Sequence, residues 1–322
     1  MSEQLSGLTP LRRFPVRRQL DLGWAFVERQ TNLWKRHWAW EVVWLVYGVV
    51  NALAITFIAK QLATEGVVSG QRANDLILFL LIGTLVWAYL SAVLDDISLV
   101  VTWERWEGTI EHTLMAPVPR VAHLVGTAVF GVLHALARTT LIMVIALPFF
   151  AVDLGQANWG TALVVMAVGS ASVVGLGILT GVLPLLYPER GEQMSFMVQS
   201  VVLLISGVYY SVETLPGWLQ AVSHLSPATY LLRAVRSAVI DGASVGAVAG
   251  DLAAMAVFAI VLIPLSIAVF SGAERWAKRT GVDDPEVFAE RIPFVETRGY
   301  VRIISRNQEL YRSLYEWPEG SS

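Results

Sequence analysis

Residues 205–242 read ISGVYYSVETLPGWLQAVSHLSPATYLLRAVRSAVIDG. A membrane-hydrophobic run stops at the start of this stretch, and another apolar segment begins beyond its end. An unpaired backbone polar group in lipid costs several kcal/mol. Such Gly/Pro-punctuated backbone therefore belongs outside the bilayer or buried against other helices beside a pathway. Ser226 and Pro227 fit an N-cap followed by proline at the first helical position, and Asp241-Gly242 fits a helix end. The helix between them, about 14 residues long and carrying Arg233 and Arg236, is too short and too charged to span a membrane. A shorter helix is expected over 215–223, with Trp218 at the interface. The stretch predicts a conduit with a lid of two short re-entrant helices.

Working outward, the 322-residue chain is 55% hydrophobic and only 15% charged, against roughly a quarter charged in soluble domains. Six segments supply the roughly 20 apolar residues that a span needs: 38–59, 76–94, 124–150, 161–186, 194–210 and 252–270. Arg12, Arg13, Arg17, Arg18, Lys35 and Arg36 precede the first, and Arg275, Lys278, Arg279 and Arg291 follow the last. Positive residues stay on the cytoplasmic side, so both ends are expected there and an even number of spans is required. No apolar core with a cleavage site precedes Trp38, so the first span is expected to act as the insertion signal. The net charge of −3 directs the chain at no particular partner, and no nucleic-acid partner is expected. Cysteine is absent, which excludes disulfides, thiolate metal sites and thiol nucleophiles.

Residues 1–19 read as a basic arm. From Leu20, apolar residues Leu20, Trp24, Val27, Trp34 and Trp38 share one helical face, predicting an interfacial amphipathic helix that leads into the first span. Between spans two and three lies TWERWEGTIEHTLMAPVPR, residues 102–120. Trp103, Trp106, Ile110 and Leu114 make an aromatic and apolar face, while Glu104, Glu107 and Glu111 make an acidic one. Pro117 and Pro119 end that helix. In span four, Gly177 and Gly181 stand in GxxxG spacing before Pro184, a pattern of close helix packing.

Ionisable groups within spans are few: Asp95 and Asp96 near the inner end of span two, and His134 with Arg138 one turn apart on span three. By helical rise Asp95 is about 28 Å below the outer end of its span and Arg138 about 20 Å above the inner end of its own, so they are not expected to meet. Arg138 and His134 are candidates to face a pathway. No HExxH or GxSxG motif occurs, and no second buried aspartate offers aspartyl-protease chemistry. A P-loop needs Gly-Lys-Ser/Thr. The three lysines, Lys35, Lys60 and Lys278, follow Trp34, Ala59 and Ala277, so a P-loop ATPase site is excluded.

Two motifs then resemble the membrane subunit of ABC-2 type ABC exporters. Residues 107–120, EGTIEHTLMAPVPR, resemble the family's cytoplasmic coupling loop, and Ser206, Gly207, Leu215, Pro216, Trp218, Leu219, Pro227, Tyr230 and Arg236 resemble its outer signature. Ser211 departs from the proline common there, and the tail after 270 is longer than the family's. The resemblance implies an all-α membrane protein: a cytoplasmic arm and interfacial helix over 1–37, a six-span domain over 38–270 and a cytoplasmic tail over 271–322. It also implies a multi-pass permease of a bacterial-type plasma membrane, exporting an amphiphile such as a drug, antibiotic, lipid or lipid-linked glycan. Implied partners are membrane lipid, a second copy or a related permease, and a separate P-loop ATPase subunit that uses ATP and magnesium. This chain itself would hold no cofactor and catalyse no reaction. Implied coupling residues are Trp103, Glu104, Trp106, Glu107, Gly108, Thr109, Glu111 and Arg120. The alternative is an ion- or proton-coupled secondary transporter using Arg138, Asp95 and Asp96. Reversing charge at Glu107 and Glu111 is expected to lower transport-coupled ATPase activity while membrane insertion stays intact. Coupling measured unchanged in that double variant would remove the loop from this role.

Overall fold

The computed structural model describes residues 16–67, 70–106, 120–150, 152, 154–187 and 189–281, which are mostly helical with no strand among them. Helix α1 (Val16–Arg36) breaks at His37 and leads into α2 (Trp38–Thr64). Helix α3 (Gln71–Ser98) continues past Leu99 as the short α4 (Val100–Trp106). Next come α5 (Arg120–Ala146), lengthened by a 3-10 turn at Leu147–Phe149, then α6 (Trp159–Thr180) and α7 (Val182–Leu186). The chain ends its described part with α8 (Gly191–Ile205), α9 (Gly217–Ser223), α10 (Pro227–Ile240) and α11 (Ala249–Gly281).

Among the described residues, five stretches are long and apolar enough to cross a membrane: Trp38–Thr64, Gln71–Ser98, Val121–Phe149, Trp159–Leu186 and Ala249–Trp276. The expected fifth span, 194–210, takes a different form. Its helix, α8, has 15 residues and stops at Ile205. That is about 22 Å of helix against a hydrocarbon core of roughly 30 Å. Both short helices expected in 205–242 are present as α9 and α10, and α10 begins at Pro227 and is followed by Gly242 at φ +64°. Near the other terminus α11 runs without a break past residue 270.

Helix α3 is the central element. Tyr89, Leu90, Val93 and Leu94 are fully enclosed, and the Tyr89 hydroxyl hydrogen-bonds Ser170 on α6. Small residues on α6 permit close approach on several sides. Gly177 and Gly181 face Ile97 and Ser98 of α3, and a Cβ at Gly175 would lie 2.7 Å from Leu262 Cβ and 3.0 Å from its carbonyl carbon on α11. The bend at Gly181 between α6 and α7 follows from Pro184, which has no N–H to give the Thr180 carbonyl one turn earlier. Helix α2 is the reverse of α3, burying only Ala52, Thr56 and Ala59.

The apolar face expected on α1 is divided in the structure. Val27 is buried and the Phe26 ring lies 4.7 Å from that of His123 on α5, whereas Trp24 is 66% exposed. The face that docks on the bundle carries Phe26 and Val27, and Trp24 lies outside it.

Gly175→Val would force a branched side chain into the α6–α11 contact. Overpacking of this kind costs about 1–3 kcal/mol. The expected outcome is a lower melting temperature of the purified protein in detergent, with a smaller loss for Gly250→Val, whose Cβ would meet nothing within 4 Å.

Candidate functional site

The expected outer-gate residues come together where α8 stops. Gly207, in a left-handed turn at φ +71°, redirects the chain and exposes carbonyls that have left the helix. Arg236, from α10, supplies the donors. Its Nη1 donates to Gly207 O at 2.8 Å and its Nη2 to Val208 O at 2.5 Å and Phe79 O at 3.3 Å. The guanidinium carbon lies 3.5 Å from the centre of the Phe79 ring. Gly83 on α3 leaves the room for this arrangement, since a Cβ there would be 2.2 Å from Val208 O and 2.4 Å from Arg236 Nη2. Burial pushes the Arg236 pKa down to about 10, so the group stays charged at neutral pH.

Other members of the set fasten the same corner. Ser226 does not cap α10 with its side chain, because its hydroxyl is hydrogen-bonded to that of Ser206 at 2.9 Å. Gln220 Nε2 donates to Leu215 O at 2.8 Å, and Pro216 O accepts from the Leu219 and Gln220 amides. Tyr230 donates to His224 O at 3.1 Å, and Pro227 is buried at the start of α10. Trp218 stands apart, 69% exposed. Ser211 sits at φ −74°, a value that proline also adopts, and its hydroxyl bonds Glu213.

At the opposite end of α3, the expected coupling residues divide. Glu107, Gly108, Thr109 and Glu111 lie outside the described residues; Trp106 ends α4 and Arg120 begins α5. Trp103 is half exposed. Glu104 is not on an exposed acidic stripe: it is 4% exposed and accepts from Arg29 Nη1 on α1 at 2.6 Å. His123 Nε2 on α5 stands 3.5 Å from the same carboxylate oxygen, an electrostatic contact rather than a good hydrogen bond. Burial alone would raise the Glu104 carboxyl, but His123 and Arg29 outweigh it and hold the group below its ordinary value. Glu104 therefore joins α1, α4 and α5 at one point.

Between these ends, His134 and Arg138 line a cavity of about 280 Å³. His134 Nδ1 lies 2.7 Å from Asp96 Oδ2 on α3, and its Nε2 lies 3.1 Å from Glu41 Oε2 on α2. This suits the imidazolium form, in which both ring nitrogens donate. Gln199 on α8 donates to Asp95 Oδ1 at 2.7 Å. Arg138 lines the same cavity as Glu41, Asp95 and Asp96, with its buried Nε unpaired among the described residues. Asp95 and Arg138, not expected to meet, share the wall of this cavity, and no hydrogen bond or ion pair joins them among the described residues; the contact is made by Asp96 and His134. Helix α3 does not end at residue 94: it continues to Ser98 and then as α4 to Trp106, which leaves Asp96 about 15 Å along the axis from that end. Helix α5 begins at Arg120, about 21 Å from His134. Sequence reasoning missed Glu41, although a carboxylate inside the first apolar run was its visible signal. Gln199 carried no such signal.

Arg236→Ala would strand the Gly207 and Val208 carbonyls, at about 1–3 kcal/mol for each buried group left unpaired. Lower thermal stability is expected, with partial recovery in Arg236→Lys, whose single ammonium cannot fork. The chain has no cysteine, so Val208→Cys introduces a unique label, and maleimide should reach it faster when Arg236→Ala is added. For Glu104 the folded pKa lies below the unfolded one. Its stabilisation is present above the ordinary value of 4.5 and is lost as pH falls through the lower folded value. Melting temperature in Glu104→Gln should consequently fall below the parent's at pH 7, and the gap should close toward pH 3.

Comparison with known proteins bears on all of these regions. The chain is similar to the inner membrane transport permease YadH of Escherichia coli K12, 24% identical over 172 residues that take in 52% of this chain and 66% of the relative, just under two thirds of its length. The YadH protein of Shigella flexneri matches over the same extent. The sequence model of the ABC-2 type transporter family matches residues 22–240, from α1 to the last residue of α10. With two thirds of the chain inside that match, this protein belongs to the ABC-2 type transporter family.

Proposed function

We propose that the chain is the permease subunit of an ATP-driven exporter, lying in a bacterial-type plasma membrane with both termini cytoplasmic. The observation that carries this reading is the pairing of two fastened regions at opposite ends of α3. The Arg236 corner would be the outer gate, and the Glu104 joint would stand beside the loop of residues 107–119 that receives the ATPase. The chain's lysines lack the P-loop context, so ATP and magnesium would be handled by a separate ATPase subunit. The apolar faces that α2 leaves uncovered suit a second copy or a related permease, the two together enclosing a pathway for an amphiphile.

The test is reconstitution of the full chain with a candidate P-loop ATPase subunit in vesicles. ATP-dependent movement of an amphiphile, abolished when the ATPase lacks its Walker lysine, is the expected result. A second reading is favoured by one observation: the Glu41–His134–Asp96 chain lies within apolar helices, where ionisable residues form proton relays in transporters. Transport driven by a proton gradient in the chain alone, without ATPase, would select that reading and reject the exporter.

A further inference from the structure

The elbow between α1 and α2 carries two cations with no counter-charge. Lys35 and Arg36 stand in the last turn of α1, and both are exposed. Neither side chain makes an ion pair or a hydrogen bond among the described residues. Residues 31–40 contain no Asp or Glu. On either side of that stretch, Glu41 is engaged by His134 Nε2 at 3.1 Å, and Glu28 stands about 10 Å before Lys35 along α1. Glu104, which does reach α1, is met by Arg29. Leu33, Trp34 and His37 border the cavity that Asp95, Asp96 and Glu192 line, whereas Lys35 and Arg36 do not. Helical spacing sets the two cations on the remaining faces of α1, away from that cavity.

The depth of the elbow identifies what lies opposite it. Residues 42–59 of α2 include no Asp, Glu, Lys or Arg. That run rises about 27 Å, close to the roughly 30 Å of a hydrocarbon core. Lys35 and Arg36 therefore stand within two turns of the hydrocarbon boundary, at the depth of lipid phosphates. Between them and the uncharged run lie Trp38 and Trp40, 65% and 53% exposed, a residue type that settles at this boundary. Anionic lipid attracts lysine and arginine placed beside a span, and the guanidinium fork matches a phosphate. We infer that the α1–α2 elbow binds the headgroup of an anionic phospholipid through Lys35 and Arg36. Its effect reaches beyond the elbow. Arg29, about 9 Å before Lys35 on the same helix, fastens α1 to Glu104 on α4, and Phe26 lies against His123 on α5. A headgroup held at the last turn of α1 thus steadies the joint of α1, α4 and α5. As a lipid site the elbow stands without the exporter reading; as an influence on the loop that receives the ATPase it rests on that reading.

The chain has no cysteine, so Ala39→Cys, at an exposed position beside the elbow, gives a unique attachment point for a fluorophore. The labelled full chain is placed in phosphatidylcholine nanodiscs holding the same small fraction of either phosphatidylglycerol or phosphatidylcholine with a nitroxide quencher near the top of one acyl chain. Quenching by the phosphatidylglycerol probe is expected to be about twofold stronger or more. The two probes should become equal in Lys35→Gln/Arg36→Gln, and in 1 M salt, where the Debye length shrinks to about 3 Å. Arg72→Gln, which removes an exposed cation at the start of α3, should keep the preference. Unlabelled phosphatidylglycerol should raise the melting temperature of the parent but not of the double variant, whose value in pure phosphatidylcholine should match the parent's. Equal quenching in the parent, or a preference unaltered in the double variant, would overturn the site. Loss of the preference in millimolar inorganic phosphate at constant ionic strength would overturn it too, by giving the cations to a free anion. Equal quenching joined to failed ATPase co-purification in the double variant would assign the elbow to an acidic protein partner instead. A melting temperature indifferent to phosphatidylglycerol would overturn the steadying of the joint. Lipid preference that persists while ATP drives no transport counts against the exporter reading alone.

Discussion

Where α8 stops, backbone carbonyls leave the helical ladder while still enclosed by other helices, and everything at that end of the molecule follows from how they are satisfied. Arg236 brings three hydrogen bonds to the Gly207, Val208 and Phe79 carbonyls from one planar group. That fixes the distance from α10 to the turn at Gly207 and to the first half of α3. The missing side chain at Gly83 makes the approach sterically allowed. A buried guanidinium is costly, and burial lowers its pKa, yet it stays charged because the carbonyl dipoles and the Phe79 face converge on it. For α10 this anchor adds to apolar packing, since its Leu231, Leu232 and Ala234 lie in the hydrophobic core.

The same helix, α3, carries the other two polar centres. Its Asp96 receives His134, and its continuation α4 presents Glu104 to Arg29 and His123. Polar contacts therefore recur along one rod: Phe79 near its beginning, Asp95 and Asp96 near its end, Glu104 just beyond. Each tethers a different neighbour, α10 first, then α2, α5 and α8, then α1. Helix α2, with few buried residues, is held at its first turn through Glu41. Movement of α2 relative to the bundle would have to break or carry this contact.

Sequence reading was most successful where the signal is local. The boundaries of α10 were legible from Pro227 and Asp241-Gly242, because proline at a first turn and a left-handed glycine after a last one act within a few residues. The glycines of α6 were legible as a packing surface, since small side chains have that consequence against any neighbouring helix. Two features were not legible for a shared reason. The burial of Val27 beside Phe26 on α1 and the meeting of Asp96 with His134 both depend on how one helix is turned and shifted against another. Periodicity within a single helix does not specify either quantity. Glu104 illustrates this well: its spacing puts it on an acidic stripe with Glu107 and Glu111, but the approach of Arg29, 75 residues away in sequence, buries it.

By itself the sequence determined the class of the molecule, the approximate place of each helix and the exclusion of P-loop and thiol chemistry, because hydrophobicity, proline, glycine and lysine context act locally. Only the tertiary structure decided that α8 is too short to cross alone, that Arg236 serves the carbonyls beyond it, and that Glu41, His134 and Asp96 form one connected group. The physical reason is distance along the chain. Glu41 and His134 are 93 residues apart in sequence and His134 and Asp96 are 38 apart. Their contact is fixed by the rotation and register of packed helices, which no local pattern encodes.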